Sequence, residues 1–180
     1  MSEKNNDFPE LKETRTGTEE IFNGKVVKLV VDTVTLYDGS VSKRERMIHN
    51  GAVAVIPVLD DGRIVLVRQW RNATDSALLE IPAGGLKTGE DPAECARREL
   101  MEEIKKYPEQ LEYLTAIYLA PGYSSEKLYL YRASGLIDRA LPEDADERLE
   151  IVLMTKKEIE KAIRAGEIID GKTIAAFMFI

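Results

Sequence analysis

The sequence predicts an α/β protein in which a mixed β-sheet lies between helices. Segments rich in Val, Leu, Ile and Thr fill much of the range 25–81, with Asp-Gly turn signals between them. A capped amphipathic helix follows at about 91–104, and then come further strand-like segments and a second helix. This order of strands, helix, strands and helix is typical of the α/β class.

Composition and charge narrow the class of protein. The 180 residues are 44% hydrophobic and 32% charged, which suits one globular domain with some length left for an extra arm. The net charge of −7 disfavours non-specific binding to nucleic acid. No apolar run approaches the roughly 20 residues that cross a bilayer, and the polar stretch 1–20 lacks the apolar core of a secretory signal. The single cysteine, Cys95, fits a reducing compartment, so we expect a cytoplasmic protein. From the charge and the lack of a long apolar run, we expect that it binds neither nucleic acid nor membrane.

Two hairpins are predicted in the first half of the chain. Residues 1 to about 18 are expected to form a loose polar lead-in. Asp38-Gly39 and Asp60-Asp61-Gly62 are the two turn signals, and the last strand ends at Pro82-Ala83-Gly84-Gly85. The predicted strands are 25–37, 42–48, 52–59, 63–70 and 78–81.

The clearest helix signal begins at Asp91. Asp91 is a good N-cap, Pro92 suits the first helical position, and Glu94 completes a capping box. Apolar residues then recur at spacings of three, four and four, which makes one apolar face: Ala93, Ala96, Leu100 and Ile104.

The second half of the chain continues with strands and ends in helices. Strands are predicted at 111–119, 127–133 and about 149–154, with loops at 120–125 and 143–147. A helix at about 156–165 stops at Gly166, and the apolar segment 173–180 is expected to be helical.

Three glutamates share one face of the first helix. Glu99, Glu102 and Glu103 lie at i, i+3 and i+4, a spacing at which like charges repel and weaken the helix. A hard divalent cation with oxygen ligands would compensate. The alternative from the residues alone is a solvated acidic face beside neighbouring Arg and Lys side chains.

The spacing around this helix resembles the Nudix box. The matching residues are Gly84, Glu90, Arg98-Glu99-Leu100 and Glu102-Glu103. The pattern departs at Lys105, where the family has a glycine that ends the helix in a left-handed turn. We expect the helix to run on toward Pro108 instead, because no stop signal precedes the proline.

The resemblance implies a Nudix α/β/α sandwich that binds Mg²⁺, with Mn²⁺ as an alternative. It implies that Glu99 and Glu103 are the principal metal ligands, that Glu102 is a further ligand, and that the carbonyl of Ala83 adds another. It also implies that Arg98 and Glu90 orient the carboxylates, with Gly84 as a structural residue of the box.

Motifs outside the box resemble those of the ADP-ribose pyrophosphatase subfamily. They include Leu79-Glu80-Ile81-Pro82-Ala83-Gly84, Arg68-Gln69-Trp70-Arg71 and Ser124-Ser125-Glu126. The implied reaction is hydrolysis of ADP-ribose to AMP and ribose 5-phosphate. Glu126 is the implied general base and Glu102 the second choice. The alternatives are another nucleoside-diphosphate sugar, such as ADP-glucose or GDP-mannose, or a silent regulator that binds a nucleotide sugar.

The resemblance also implies substrate contacts and an assembly. Arg71 and Glu80 are expected to bind substrate. For Arg71 the reason is that a guanidinium can donate two hydrogen bonds to phosphate or ribose oxygens. Arg44 and Glu45 match the position that reaches the adenosine half. The implied organisation is a tail and antiparallel β-arm at 1–48, which mediates a homodimer, and a Nudix domain at 49–180. We assign no role to His49.

Overall fold

The computed structural model describes residues 8–142 and 148–180, so the acidic loop expected at 143–147 lies outside the described residues. The described chain divides into two compact units. The first comprises residues up to His49 together with Ala120–Glu126, and the second comprises Asn50–Leu119 and Lys127–Ile180. The expected boundary between 48 and 49 therefore falls beside that of the first unit, which also takes in a loop from the expected second domain.

The first unit contains a three-stranded antiparallel sheet in the order β1-β2-β3. Its strands are β1 (Thr14–Asn23), β2 (Lys28–Thr35) and β3 (Val41–Ile48), after a 3₁₀ turn at Pro9–Leu11. In β2 the alternate residues Val30, Asp32 and Val34 are buried. The expectation of a loose lead-in up to about residue 18 is wrong from Thr14 onward. Every residue of β1 is exposed, so this strand lacks the apolar alternation by which a half-buried strand is recognised.

The second unit contains two sheets and three helices among its described residues. One sheet has the order β10-β5-β6, and the other has the order β7-β4-β9-β8 with β4 and β9 parallel. The elements are β4 (Ala52–Pro57), β5 (Ile64–Arg71), β6 (Ser76–Glu80), β7 (Ala83–Gly85), α1 (Pro92–Glu103), β8 (Lys106–Ile117), β9 (Leu128–Asp138), β10 (Glu150–Met154), α2 (Lys156–Ala165) and α3 (Gly171–Phe177).

Strand β4 is buried on both faces and separates two apolar clusters. Its residues Ala52, Ala54 and Ile56 join a cluster that includes residues of α2 and α3. The intervening Val53 and Val55 join a second cluster, which includes residues of α1. Since side chains alternate along a strand, the nearly continuous apolar run at 52–57 predicts a strand with helices on both sides. The predicted α/β class with a mixed sheet is confirmed.

Helix α1 begins after the predicted N-cap Asp91, but the Glu94 carboxylate pairs with Arg97 instead of completing the predicted capping box, and the helix ends earlier than predicted. The Asp91 carboxylate accepts hydrogen bonds from the backbone N–H groups of Ala93 and Glu94. The helix ends at Glu103, and Lys105 adopts a left-handed φ of 58°. The expectation that the helix continues toward Pro108 is therefore wrong. The chain turns at Lys105 because β8 begins at the next residue and pairs with β9.

Candidate metal and catalytic site

The loop that follows β6 lies against the carboxylate face of α1. Residues 83–85 form β7, which pairs with β4, and the backbone N–H of Ala83 donates to Oε2 of Glu103 at 3.2 Å. On its other side α1 buries Cys95, Ala96 and Leu100 in the apolar core. The sheet and the helix therefore hold the loop and the carboxylates together.

Gly84 is required by the close approach of Glu99. A Cβ atom on Gly84 would lie 2.0 Å from Cδ of Glu99 and 2.1 Å from its Oε1. Any side chain there would push the carboxylate away. By contrast, a Cβ on Gly85 would meet no atom within 4 Å. The carboxylate of Glu99 is thus packed directly against the glycine of the box pattern.

Arg98 connects the carboxylates of this site. Its Nε and Nη2 donate to the two oxygens of Glu90 at 2.8 and 3.0 Å. Its Nη1 donates to Glu99 at 2.6 Å and to Glu102 at 2.8 Å. The hydrogen bond from Arg98 lowers the pKa of Glu90 to about 2, and the bond to Glu90 raises the pKa of Arg98. Glu90 therefore stays ionised with both oxygens engaged, and Arg98 stays charged beside the other two carboxylates.

The donor chemistry fits a hard cation. Glu99 and Glu103 are only 8% and 5% exposed, and their carboxylates lie against Gly84 and Ala83. As the side chains stand in residues 8–142 and 148–180, no three acidic, histidine or cysteine groups converge closely enough to hold a metal ion. The Glu102 carboxylate is instead held by a hydrogen bond from Arg98. Buried oxygen donors on one helix face nonetheless match the ligands of Mg²⁺.

Arg71 and Glu80 form a half-buried ion pair in the same unit. Nε and Nη2 of Arg71 donate to the two oxygens of Glu80 at 2.8 and 2.7 Å. Glu80 is fully buried, and Lys172 also donates to its Oε2. Burial alone would raise the pKa of Glu80, but the Arg71 hydrogen bond and the Lys172 charge outweigh it and the pKa is lowered. The predicted substrate residue Glu80 thus has both oxygens engaged by cations of the protein.

The predicted adenosine-side residues line a cavity in the first unit. Arg44 and Glu45 lie on β3, and a cavity of about 340 Å³ is lined by these two and by Glu13, Arg15, Arg46 and Tyr123, among others. Arg44 donates to Glu13 through Nε at 3.0 Å and Nη2 at 2.5 Å. A ligand that contacts Arg44 would therefore compete with Glu13.

Glu126 lies at the end of the loop Ala120–Glu126, which is fastened to β3. The backbone of Met47 bonds to Tyr123 and Ser125 at 2.7 and 3.0 Å, and the His49 N–H donates to Oγ of Ser125 at 2.9 Å. Nδ1 of His49 lies 3.9 Å from Oε1 of Glu126. The neighbourhood of His49 and Glu126 was missed in the sequence, because no local pattern links residues so far apart.

Comparison with known proteins decides the family. A model of the NUDIX domain matches residues 48–177, which contain the whole helix and loop described above. This chain belongs to the Nudix family. It is a pyrophosphohydrolase of that family, as its relatives and its structural neighbour support.

Two relatives and one solved structure resemble this Nudix protein over most of its length. It is 42% identical over 165 residues to the methanol dehydrogenase activator of Bacillus methanolicus, covering 91% of this chain and 89% of the relative. It is 38% identical over 172 residues to the ADP-ribose pyrophosphatase of Bacillus subtilis (strain 168), covering 94% and 93%. The crystal structure of an ADP compounds hydrolase matches with a TM-score of 0.84 and 25% identity, covering 93% of this chain and 91% of that one.

Across residues 8–142 and 148–180, no helix combines the length and the apolar character needed to cross a bilayer.

Proposed function

We propose that this protein catalyses the Mg²⁺-dependent hydrolysis of the pyrophosphate bond of ADP-ribose, or of a closely related nucleoside-diphosphate sugar. The products from ADP-ribose are AMP and ribose 5-phosphate. The observation that carries the proposal is the packing of the Glu99 carboxylate against Gly84, next to the contact between Ala83 and Glu103. The likeness to the Bacillus subtilis ADP-ribose pyrophosphatase supports the substrate class.

We propose Glu99 and Glu103 as the principal ligands of Mg²⁺, or of Mn²⁺ in its place. Glu102 and the carbonyl of Ala83 complete the proposed set. The ion would neutralise pyrophosphate charge and lower the pKa of the attacking water. Arg98, fixed by Glu90, positions Glu99 and Glu102. Its positive charge reduces the repulsion between the carboxylates on this helix face.

The proposed general base is Glu126, with Glu102 as the alternative. A base must accept the proton of the attacking water, so it needs an oxygen that is not fully engaged. Glu126 is part-exposed beside His49, whereas an oxygen of Glu102 already accepts from Arg98. The competition from Arg98 at Glu102 favours Glu126 as the base.

Substrate recognition is proposed to come from Arg71 and from the arm residues Arg44 and Glu45. Arg71 would bind phosphate or terminal ribose oxygens, and the arm residues would bind the adenosine half. Strand β1 exposes all ten residues, including Ile21 and Phe22 at 51% and 57%. An exposed edge strand is a ready template for pairing with another chain, which supports a homodimer formed through an arm at 1–48.

The test is a panel of nucleoside-diphosphate sugars assayed with Mg²⁺ and with Mn²⁺, with products resolved by chromatography. Wild-type protein should release AMP from ADP-ribose, and Glu103→Gln should lose most of this activity while it keeps its fold. Glu94→Gln is the matched control, because it makes the same change at an exposed position in the first turn of α1. Near wild-type turnover by Glu103→Gln at saturating Mg²⁺ would remove the metal assignment. Faster turnover of GDP-mannose or ADP-glucose would move the substrate assignment.

A second candidate function is activation of a dehydrogenase. It is favoured by the 42% identity to the methanol dehydrogenase activator of Bacillus methanolicus. The readout is the rate of a methanol dehydrogenase with and without this protein. Stimulation that survives Glu103→Gln would separate this function from hydrolysis. Stimulation that is lost in Glu103→Gln would show that activation of the dehydrogenase depends on hydrolysis.

A further inference from the structure

Lys172 is a buried lysine whose position needs an explanation. It lies in the first turn of α3 and is only 8% exposed. Lysine is almost never buried unless it is paired. Its Nζ donates to Oε2 of Glu80 and, at 3.0 Å, to Oδ1 of Asp170. It therefore joins α3 to β6, the strand that leads into residues 82–85 beside the proposed metal ligands.

The contacts of Lys172 continue into Arg71. Glu80 accepts from Lys172 and from both Nε and Nη2 of Arg71. The result is a chain of alternating charges, Asp170, Lys172, Glu80 and Arg71, with no net charge. Its outer end is the accessible one, because the side chain of Arg71 is 40% exposed and that of Glu80 is 1% exposed.

The hydroxyl of Thr173 makes two further hydrogen bonds beside this ion chain. Oγ1 of Thr173 donates to Oδ2 of Asp170 at 2.6 Å and accepts from the backbone N–H of Ile81 at 2.9 Å. Ile81 directly precedes Pro82 and Ala83. The first turn of α3 therefore fixes both the Glu80 side chain and the backbone at Ile81.

Stability alone is a poor explanation for such a chain. Burying ions costs desolvation that the pairing only partly returns, and apolar replacements of buried ion pairs are often as stable. What the chain does achieve is a fixed guanidinium. Within the described residues, Nη1 of Arg71 makes no hydrogen bond, while Nε and Nη2 are held by Glu80. The Glu80 hydrogen bond raises the pKa of Arg71, and the negative charge of Glu103 adds a smaller effect, so Arg71 lies within electrostatic reach of Glu103, one of the proposed metal ligands.

We propose that Lys172 is a positioning residue for substrate binding, which acts through Glu80 to hold Arg71 with Nη1 directed at the anionic substrate. This inference rests on the proposed function for the identity of the substrate. Glu80 accordingly serves the substrate through Arg71 and makes no direct contact with it. Lys172 holds the guanidinium in the orientation that binding requires, so its loss raises KM more than it lowers kcat.

The main test compares Lys172→Met with the exposed control Lys161→Met in α2. Lys172→Met should raise KM for ADP-ribose about tenfold, the loss typical of one well-oriented hydrogen bond to a charged group, with kcat changed less. Lys161→Met should leave both constants unchanged. A merely structural role would instead reduce kcat, as the active fraction falls, and leave KM as it is, which would overturn the proposal.

A second variant covers the case in which Lys172→Met fails to fold. The double variant Glu80→Gln/Lys172→Met removes the most deeply buried charge of each sign, so neither of these two ions is left buried without the other, and Arg71 is kept. It should also show the raised KM. A folded double variant with wild-type KM would overturn the proposal.

A third measurement does not depend on the substrate. The ¹⁵N–¹H resonance of Arg71 Nε should have an order parameter close to that of the backbone in the wild-type protein and a lower one in Lys172→Met. An unchanged order parameter would overturn the proposal even if ADP-ribose proves to be the wrong substrate. Absence of ADP-ribose hydrolysis by the wild type, with the expected NMR difference, would instead count against the proposed function alone.

Discussion

Replacement of Lys105 tests the turn that ends α1. Lys105 has a φ of 58°, in the left-handed region that costs an L residue roughly 1–2 kcal/mol and costs glycine almost nothing. Its Nζ donates to the carbonyl of Glu102 at 2.6 Å and to that of Leu141 at 3.3 Å. The side chain therefore compensates in part for the strain of its own backbone.

Two variants separate the two effects. Lys105→Ala keeps the strain and loses the hydrogen bonds, so it should destabilise the protein by about 1 kcal/mol, given about 0.5–1.5 kcal/mol for a net hydrogen bond. Lys105→Gly loses the same bonds but relieves the strain, so it should be more stable than the alanine variant by about 1 kcal/mol. The glycine variant should therefore be close to wild type.

The assay is thermal unfolding at one fixed protein concentration. For a chain of this size, 1 kcal/mol moves Tm by about 2–4 °C. We expect Lys105→Ala to have the lowest Tm, and we expect Lys105→Gly and the wild type to unfold about 2–4 °C above it. Mg²⁺-dependent hydrolysis should be little changed in both variants, because the carboxylate face lies before the turn. A glycine variant less stable than the alanine variant would show that residue 105 is helical, and would refute the reasoning.

Three further predictions concern the carboxylate site and its base. Gly84→Ala should reduce activity by about 10²-fold, the scale expected when a catalytic group is displaced by about 1 Å, whereas Gly85→Ala should not, since its Cβ would meet no atom within 4 Å; equal rates in the two variants would contradict the packing argument. The pKa of Glu90 is lowered from 4.5 to about 2, so its stabilising contribution is complete above pH 4.5 and is lost as pH falls toward 2. Glu90→Gln should therefore have a lower Tm than wild type near pH 7, and the gap should close over that acidic range; a gap independent of pH would exclude the ionised pair as its cause. Glu126→Gln should lower kcat by about 10²-fold or more if Glu126 is the base, with the Mg²⁺ dependence unchanged, and a larger effect of Glu102→Gln on kcat would transfer the role.

Local patterns in the sequence were sufficient for the elements that carry their own signal. The cap at Asp91 and the apolar positions of α1 depend on residues a few positions apart, and the structure confirms both. The apolar run at 52–59 predicted a strand, and the structure forms one there as β4, buried along its whole length. The spacing from Gly84 to Glu103 placed the glycine, the arginine and the carboxylates in one motif, because a single helix and its preceding loop fix their relative positions.

Only the tertiary structure decided the features that depend on distant partners. Lys105 turns left-handed because the next residues pair with β9, and this pairing outweighs the helix signal that continues through Lys106. The match between Lys172 and Glu80 joins residues 92 positions apart, and no periodicity connects them. The sequence by itself determined the fold class and the chemistry of the box, since both are written in short-range spacing. The turn at Lys105 and the ion chain behind Arg71 were decided by packing, because their free energy comes from contacts that exist only once the chain is folded.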